Sequence, residues 1–192
     1  MKILFYDYET TGIKVCDNEI LEIAACVVDD TDFKVIDTFN QYIKPKKPIS
    51  YFITQLTSIT NQDVASAKTE GIVLNEFMNF IKKHKPDAIA GHNIERFDNI
   101  WTKEKCDYYR ITNQMPSTAI DTLPLAKDVF NSGLMPDYNF TTAKGNLSFK
   151  LENLMNYFEL GVQEHRAISD VKYNIIVYKK LKELEENYDY GF

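Results

Sequence analysis

The sequence predicts a three-layer α/β domain, a mixed sheet with helices packed on it. Three observations carry this. Residues 2–8 form a continuous apolar strand-like run, two further strand-like runs follow as a hairpin, and beyond residue 70 helical patterns alternate with short single strands. A pure Rossmann arrangement is disfavoured, because no GxGxxG follows the first strand.

Residues 2–8 (KILFYDY) are apolar on both faces, as a central buried strand requires. The ETTG that follows is a turn. Residues 19–28 (EILEIAACVV) and 33–43 (FKVIDTFNQYI) read as two more strands, joined across the acidic turn Asp29–Asp32. The segment 44–50 is a proline- and lysine-rich loop, and 51–68 holds short, polar-capped helical pieces. From Glu70 to Lys83, the residues Ile72, Leu74, Phe77, Met78, Phe80 and Ile81 recur at helical spacing. Residues 87–91 (DAIAG) form a short strand. Asn93 is the expected N-cap of a helix over 94–107. A strand at 118–121 and a helix over 122–130 come next, then a long loop over 131–147. A helix over 149–160 should stop at Gly161 as its C′ residue, and a last helix covers 167–187.

The chain has 192 residues, which fits a single domain over 1–192. A hydrophobic content of 44% is enough for a sizeable core. No apolar run approaches membrane-spanning length. The start, MKILFYDYETTG, is interrupted by Asp7 and Glu9 and does not read as a signal peptide, so a cytoplasmic protein is expected. Cys16, Cys26 and Cys106 are far apart with no CxxC pair, which argues against a cysteine zinc site and for buried or half-buried free thiols. The net charge of −6 argues against a protein that coats nucleic acid. It does not argue against one that grips a strand end, because cation-binding carboxylates contribute to that count. The lysine groups Lys44/Lys46/Lys47, Lys82/Lys83/Lys85 and Lys179/Lys180/Lys182 read first as solvated faces, with a phosphate track as the alternative.

Three blocks could carry chemistry. Asp7 and Glu9 stand two apart on a strand and so share a face. Two carboxylates there are costly without a partner, and a hard cation such as Mg²⁺ or Mn²⁺ suits oxygen-only ligands. Taken alone, D-x-E reads equally as two solvated acids past the strand end. Thr10, Thr11 and Gly12 follow, with hydroxyls and backbone N–H groups that could hold a terminal nucleotide, or simply make a turn. The second block runs from Gly91 to Asp98. With Asn93 as the cap, Asp98 falls in the second helical turn, able to lean towards the first strand or to stay on the helix surface. The third block is His165-Arg166-Ala167-Ile168-Ser169-Asp170. Five residues of continuous helix would set His165 about 140° from Asp170, so a loop position for His165 helps it act beside Asp170. Histidine can take a proton from water near neutrality. His92 is the competing base, read as a helix-start residue that orients Asn93.

In this order and spacing, the three blocks resemble the DnaQ-like DEDDh exonucleases, the family of proofreading subunits, exonuclease I, RNase T and oligoribonuclease. The matching text is Asp7-x-Glu9-Thr-Thr-Gly12, Asn93-Ile-Glu-Arg-Phe-Asp98 and His165-Arg-Ala-Ile-Ser-Asp170, with EILEIAACVV, LTSITNQDV, DTLPLAKDVF and KLENLMNYFELGV around it. The likeness covers nearly the whole chain. Three residues separate Asn93 from the Phe97-Asp98 pair, as in exonuclease I and TREX-type members, where many relatives have two. Ser58 stands where glycine is common. His165, five before Asp170, matches the histidine subgroup.

The resemblance implies an RNase H-like fold with a five-stranded mixed sheet flanked by helices. It implies a 3′→5′ exonuclease that releases nucleoside 5′-monophosphates from single-stranded DNA. Asp7, Glu9 and Asp170 would bind one Mg²⁺ or Mn²⁺, Asp7 would bridge to a second supported by Asp98, and His165 would be the general base. Thr10, Thr11, Gly12 and Asn93 would grip the last nucleotides. Phe52 and Leu56 could form an apolar wedge against bases, although Phe52 also reads as core. RNA remains an alternative substrate, and a non-catalytic end-binding module on the same fold is the rival class. No long tail follows Asp170, so a stand-alone enzyme is expected; a polymerase partner or homodimer has no decisive signal.

Overall fold

The computed structural model describes residues 1–161 and 166–189. Its centre is β1 (Lys2–Thr10), whose Ile3, Leu4 and Phe5 are wholly buried, as the two-faced apolar run requires. β1 pairs antiparallel with β2 (Ile20–Asp29), and β2 antiparallel with β3 (Val35–Lys44), so the predicted hairpin is present. After helix α1 (Tyr51–Thr57) comes β4 (Lys68–Thr69), which adds parallel to β3, and then α2 (Glu70–His84). β5 (Ala88–Gly91) lies parallel to the other side of β1, and α3 (Asp98–Tyr109) follows it. β6 (Ala119–Asp121) lies parallel to β5. The last elements are α4 (Thr122–Asn131), α5 (Leu151–Tyr157) and α6 (Ala167–Asp189). The sheet order is β4-β3-β2-β1-β5-β6.

The mixed α/β architecture is as expected, but the sheet has six strands, not five. The additional one is β4, two exposed residues too short and too polar to show a strand period.

Alternation along β1 decides the layers. Leu4, Tyr6 and Tyr8 face α2 and α3, packing on Val73, Leu74, Phe77, Ile81 and Trp101. Ile3 and Phe5 face the other way, with Ala24, Cys26 and Val28 of β2, onto Val171, Ile175 and Tyr178 of α6. α4 and α5 pack on the outer part of α6 through Ala126, Leu154, Val177 and Leu181.

Two helix boundaries depart from expectation. α5 ends early because its stop is a Schellman motif: Glu159 adopts φ 55, its N–H reaches Asn156 O, and the Leu160 N–H reaches Met155 O at 2.9 Å. Gly161 comes two residues after that left-handed position. Asn93 does not cap a helix either. It lies at φ 61, residues 94–97 form turns, and α3 starts only at Asp98. The reversal is held by Asp121 at the end of β6, whose carboxylate accepts the N–H groups of Asn93 (2.8 Å) and Glu95 (3.3 Å). The cysteines are free; Cys26 and Cys106 are buried as expected, but Cys16 is exposed. Among the described residues, no helix is long and apolar enough to cross a membrane.

Candidate active site

Because Ile3 and Phe5 face α6, Asp7 and Glu9 continue that same face beyond the apolar packing. α6 brings Asp170 to it, one residue before Val171 in the shared cluster. Ligand oxygens of Asp7, Glu9 and Asp170 lie within 4.8 Å of one another, a grouping that could hold a metal ion. Asp98 stands outside that group but close by. As the first residue of α3 it is 3% exposed, and its Oδ1 accepts the N–H of Tyr8 (3.1 Å), the β1 residue between Asp7 and Glu9.

The electrostatics are those of buried, crowded acids, with burial the first cause of each shift. Burial first, then Asp98, Glu9, Asp170 and Glu22, push Asp7 well above the usual carboxylate range. Burial, Asp170, Glu22 and Asp98 raise Glu9 to about 9, opposed by Arg166. Burial raises Asp98 to about 8, opposed by the N–H groups it accepts. Such a set fits hard divalent cations: all donors are carboxylate oxygens, and a cation would stabilise the ionised forms that burial and mutual repulsion disfavour.

The other sequence candidates divide. The Thr10 hydroxyl donates to Gly12 O (2.8 Å), and the Thr11 hydroxyl donates to Asn18 Oδ1 (3.2 Å) while accepting the Glu19 N–H (2.9 Å). Both hydroxyl protons therefore hold the turn itself. A Cβ at Gly12 would meet Asn18 Oδ1 at 2.5 Å, so a larger residue there would push the Asn18 side chain off the Thr11 hydroxyl. Asn93 is half-buried, its N–H taken by Asp121. His92 does not orient Asn93; its Nδ1 pairs with the Thr122 hydroxyl (3.0 Å), and burial lowers it to about 4. Phe52 is not core. It is 72% exposed, beside Tyr51 and Leu56, also exposed, on α1. His165 lies outside the described residues.

Sequence reasoning missed four residues. Glu22 is 1% exposed and pairs with Arg166; it is a lone acid in the apolar run of β2, and a buried carboxylate demands a partner. Arg166 stood inside the third block without a role. Asp121 holds the turn before Asp98. Ile13, directly after Gly12, is an apolar side chain left 83% exposed in solvent. Of the three lysine groups, Lys46 and Lys47 line a cavity of about 600 Å³ that includes Thr11, Ser50 and Tyr108 but none of the four site carboxylates. Lys83 is paired with Asp37 and Lys180 with Glu183, as solvated faces would be.

The RNase T family profile, described as exonuclease, matches residues 4–178. The chain belongs to this exonuclease family. Membership agrees with the DnaQ-like, RNase H-like resemblance of its three blocks. A PolC-type DNA polymerase III from Latilactobacillus sakei subsp. sakei (strain 23K) is 36% identical over 192 residues, covering 97% of this chain and 12% of that protein. Protein NEN4 of Arabidopsis thaliana is 30% identical over 182 residues, covering 93% of this chain and 66% of that protein. The exonuclease-family chain thus spans a small part of its PolC-type relatives. Among solved structures, E. coli exonuclease I in complex with a dA16 oligonucleotide gives a TM-score of 0.74 at 25% identity, over 95% of this chain and 41% of that one. A product-bound structure of exonuclease I gives 0.79 at 24% identity, over 97% of this chain and 44% of that one, a likeness of fold.

Proposed function

We propose that residues 1–192 act as one 3′→5′ exonuclease domain, which hydrolyses the terminal phosphodiester of single-stranded DNA to release nucleoside 5′-monophosphates. The observation that carries this reading is the convergence of Asp7, Glu9 and Asp170 oxygens within 4.8 Å on one face of the sheet, in a chain of the exonuclease family. A cytoplasmic setting belongs to the same proposal.

Asp7, Glu9 and Asp170 would hold one Mg²⁺ or Mn²⁺, with Asp98 supporting a second that shares Asp7. When bound, such ions supply a lowered pKa for the attacking water and charge neutralisation for the leaving oxygen. The chain's own residues do the rest. His165 takes the water's proton, a role assigned from its motif alone. The Tyr8 N–H fixes the Asp98 carboxylate against β1. The exposed Ile13, Phe52 and Leu56 offer apolar surface for unpaired bases. The cavity that holds Thr11, Lys46, Lys47 and Tyr108 offers two ammonium groups and a ring to the strand upstream, alongside Asp17, Glu19 and Glu104 in the same lining. The strand is bound in the complex of E. coli exonuclease I with dA16, a fold relative over 95% of this chain, which supports a single-stranded substrate here. The PolC-type relatives support a role beside a polymerase.

The test is digestion of a 5′-labelled single-stranded oligodeoxynucleotide with Mg²⁺, alongside EDTA and Asp7→Ala controls. A ladder that shortens from the 3′ end, absent in both controls, is expected. Equal cleavage by Asp7→Ala would refute the assignment of the carboxylates. A ladder on RNA and none on DNA would move the substrate to RNA. No cleavage of either, also with Mn²⁺, would favour an end-binding module.

A further inference from the structure

We propose that Glu22, Arg166 and Tyr42 form a positioning clamp that seats the start of α6 and so sets where Asp170 stands relative to Asp7 and Glu9. The inference rests on the exonuclease reading above and adds three residues that touch neither strand nor water in it.

Glu22 is the cross-strand partner of Glu9 in the β1–β2 register and is 1% exposed. A fifth carboxylate beside Asp7, Glu9, Asp98 and Asp170 is the worst charge to add there, and it does push Asp7 and Glu9 upward. It is held by a two-pronged ion pair: Arg166 Nε donates to Oε2 (3.2 Å) and Nη2 to Oε1 (3.3 Å). The backbone N–H of Ala167, the first residue of α6, also donates to Oε2 (3.3 Å). Both oxygens of Glu22 are therefore engaged by the helix start.

Arg166 is fixed from a third side. Its guanidinium lies over the Tyr42 ring, 5.0 Å from the centroid, and Nη2 donates to the Tyr42 hydroxyl. A planar fork bonded at two points and stacked on a ring has one orientation. The link to the site is short: the Asp170 N–H donates to Arg166 O (2.9 Å), closing the first turn of α6. Apolar packing of Ala167, Val171 and Ile175 buries the helix, but such contacts alone would tolerate rotation about its axis. The polar clamp removes that freedom at the end where Asp170 sits.

The experiment uses the full chain and three variants, Arg166→Lys, Glu22→Gln and Tyr42→Phe. It measures Mn²⁺ binding by calorimetry, kcat and KM on the labelled oligonucleotide, and thermal melting. In folded Arg166→Lys, Mn²⁺ affinity and kcat should each fall about 10–100-fold, the usual cost of losing a group that orients metal ligands, while KM for the strand changes little. Glu22→Gln should fall in the same direction. Tyr42→Phe removes a single half-buried hydroxyl and decides the matter if the other two do not fold; a smaller loss of Mn²⁺ affinity at unchanged melting temperature is expected. Wild-type Mn²⁺ binding and kcat in the folded variants would overturn the clamp, as would a loss that merely follows the unfolded fraction. A wild-type chain that neither binds Mn²⁺ nor digests the strand would overturn the exonuclease reading instead, so the two failures are distinct.

Discussion

Asp7 stands where burial and four neighbouring carboxylates all oppose its ionisation. A site poised for cations has this cost when it is empty of them, because the donors repel one another. Asp7→Asn keeps the shape and removes the charge, so two effects should separate. Digestion should be abolished. In EDTA at pH 8 the variant should melt higher than wild type, by about 2–4 °C for each kcal/mol of repulsion relieved in a chain of this size. A lower melting temperature would mean that Asp7 is held by attractive contacts. At this scale the sequence showed Asp7 and Glu9 because a strand alternates with period two, so their spacing alone puts them on one face. Glu22, Arg166 and Asp121 were hidden because their partners lie 144 and 28 residues away in the chain. The β1–β2 register and the docking of α6 bring Glu22 and Arg166 together, and the β5–β6 pairing sets Asp121 against the turn at Asn93.

Among the elements, the longer strands and helices were legible from periodicity; β4 was too short to show one, and the helix-start misreading lies where a polar residue has two local uses. Asn93 can cap a helix or adopt the left-handed conformation; the acceptor that decides between them, Asp121, sits on another strand. The same ambiguity explains Ser58. It ends α1 at φ 60 and ψ 9, with its N–H on Thr54 O (2.8 Å), the left-handed stop that glycine fills without a Cβ penalty. Ser58→Gly should therefore stabilise the chain by about 1 kcal/mol, the lower end of the cost of a left-handed L-residue. Thermal melting checks it. Activity should hold, since α1 keeps its length and its exposed Phe52 and Leu56. A fall in melting temperature would show that the extra freedom of glycine in the unfolded chain outweighs the strain relieved.

For the whole molecule, the net charge of −6 includes a carboxylate group whose protonation is tied to folding. Without cations, folded Glu9 and Asp98 hold their protons up to about 9 and about 8, whereas in the unfolded chain both ionise in the ordinary carboxylate range. Between those limits the folded state binds more protons, so stability falls as pH rises. His92 acts oppositely. Burial lowers it to about 4, so the unfolded state binds the extra proton from there up to the ordinary histidine value of about 6.5, and stability rises with pH across that interval. The two trends overlap below about pH 6.5; above it the carboxylates act first, and towards pH 9 the N-terminal amino group and the Cys26 and Cys106 thiols, all raised in the folded state, lower stability in the same direction. In EDTA the melting temperature should therefore decline from pH 7 to pH 9. With Mg²⁺ at matched ionic strength the carboxylates are ionised in the folded state, so the decline should become shallower, leaving the part due to the amino group and the thiols, and the gap between the two curves should widen with pH. Matching ionic strength removes general screening of the net charge, and Asp7→Asn should narrow the gap by weakening the cation site. Parallel curves, with and without Mg²⁺, would mean that the carboxylates on β1 and α6 do not take up the ion.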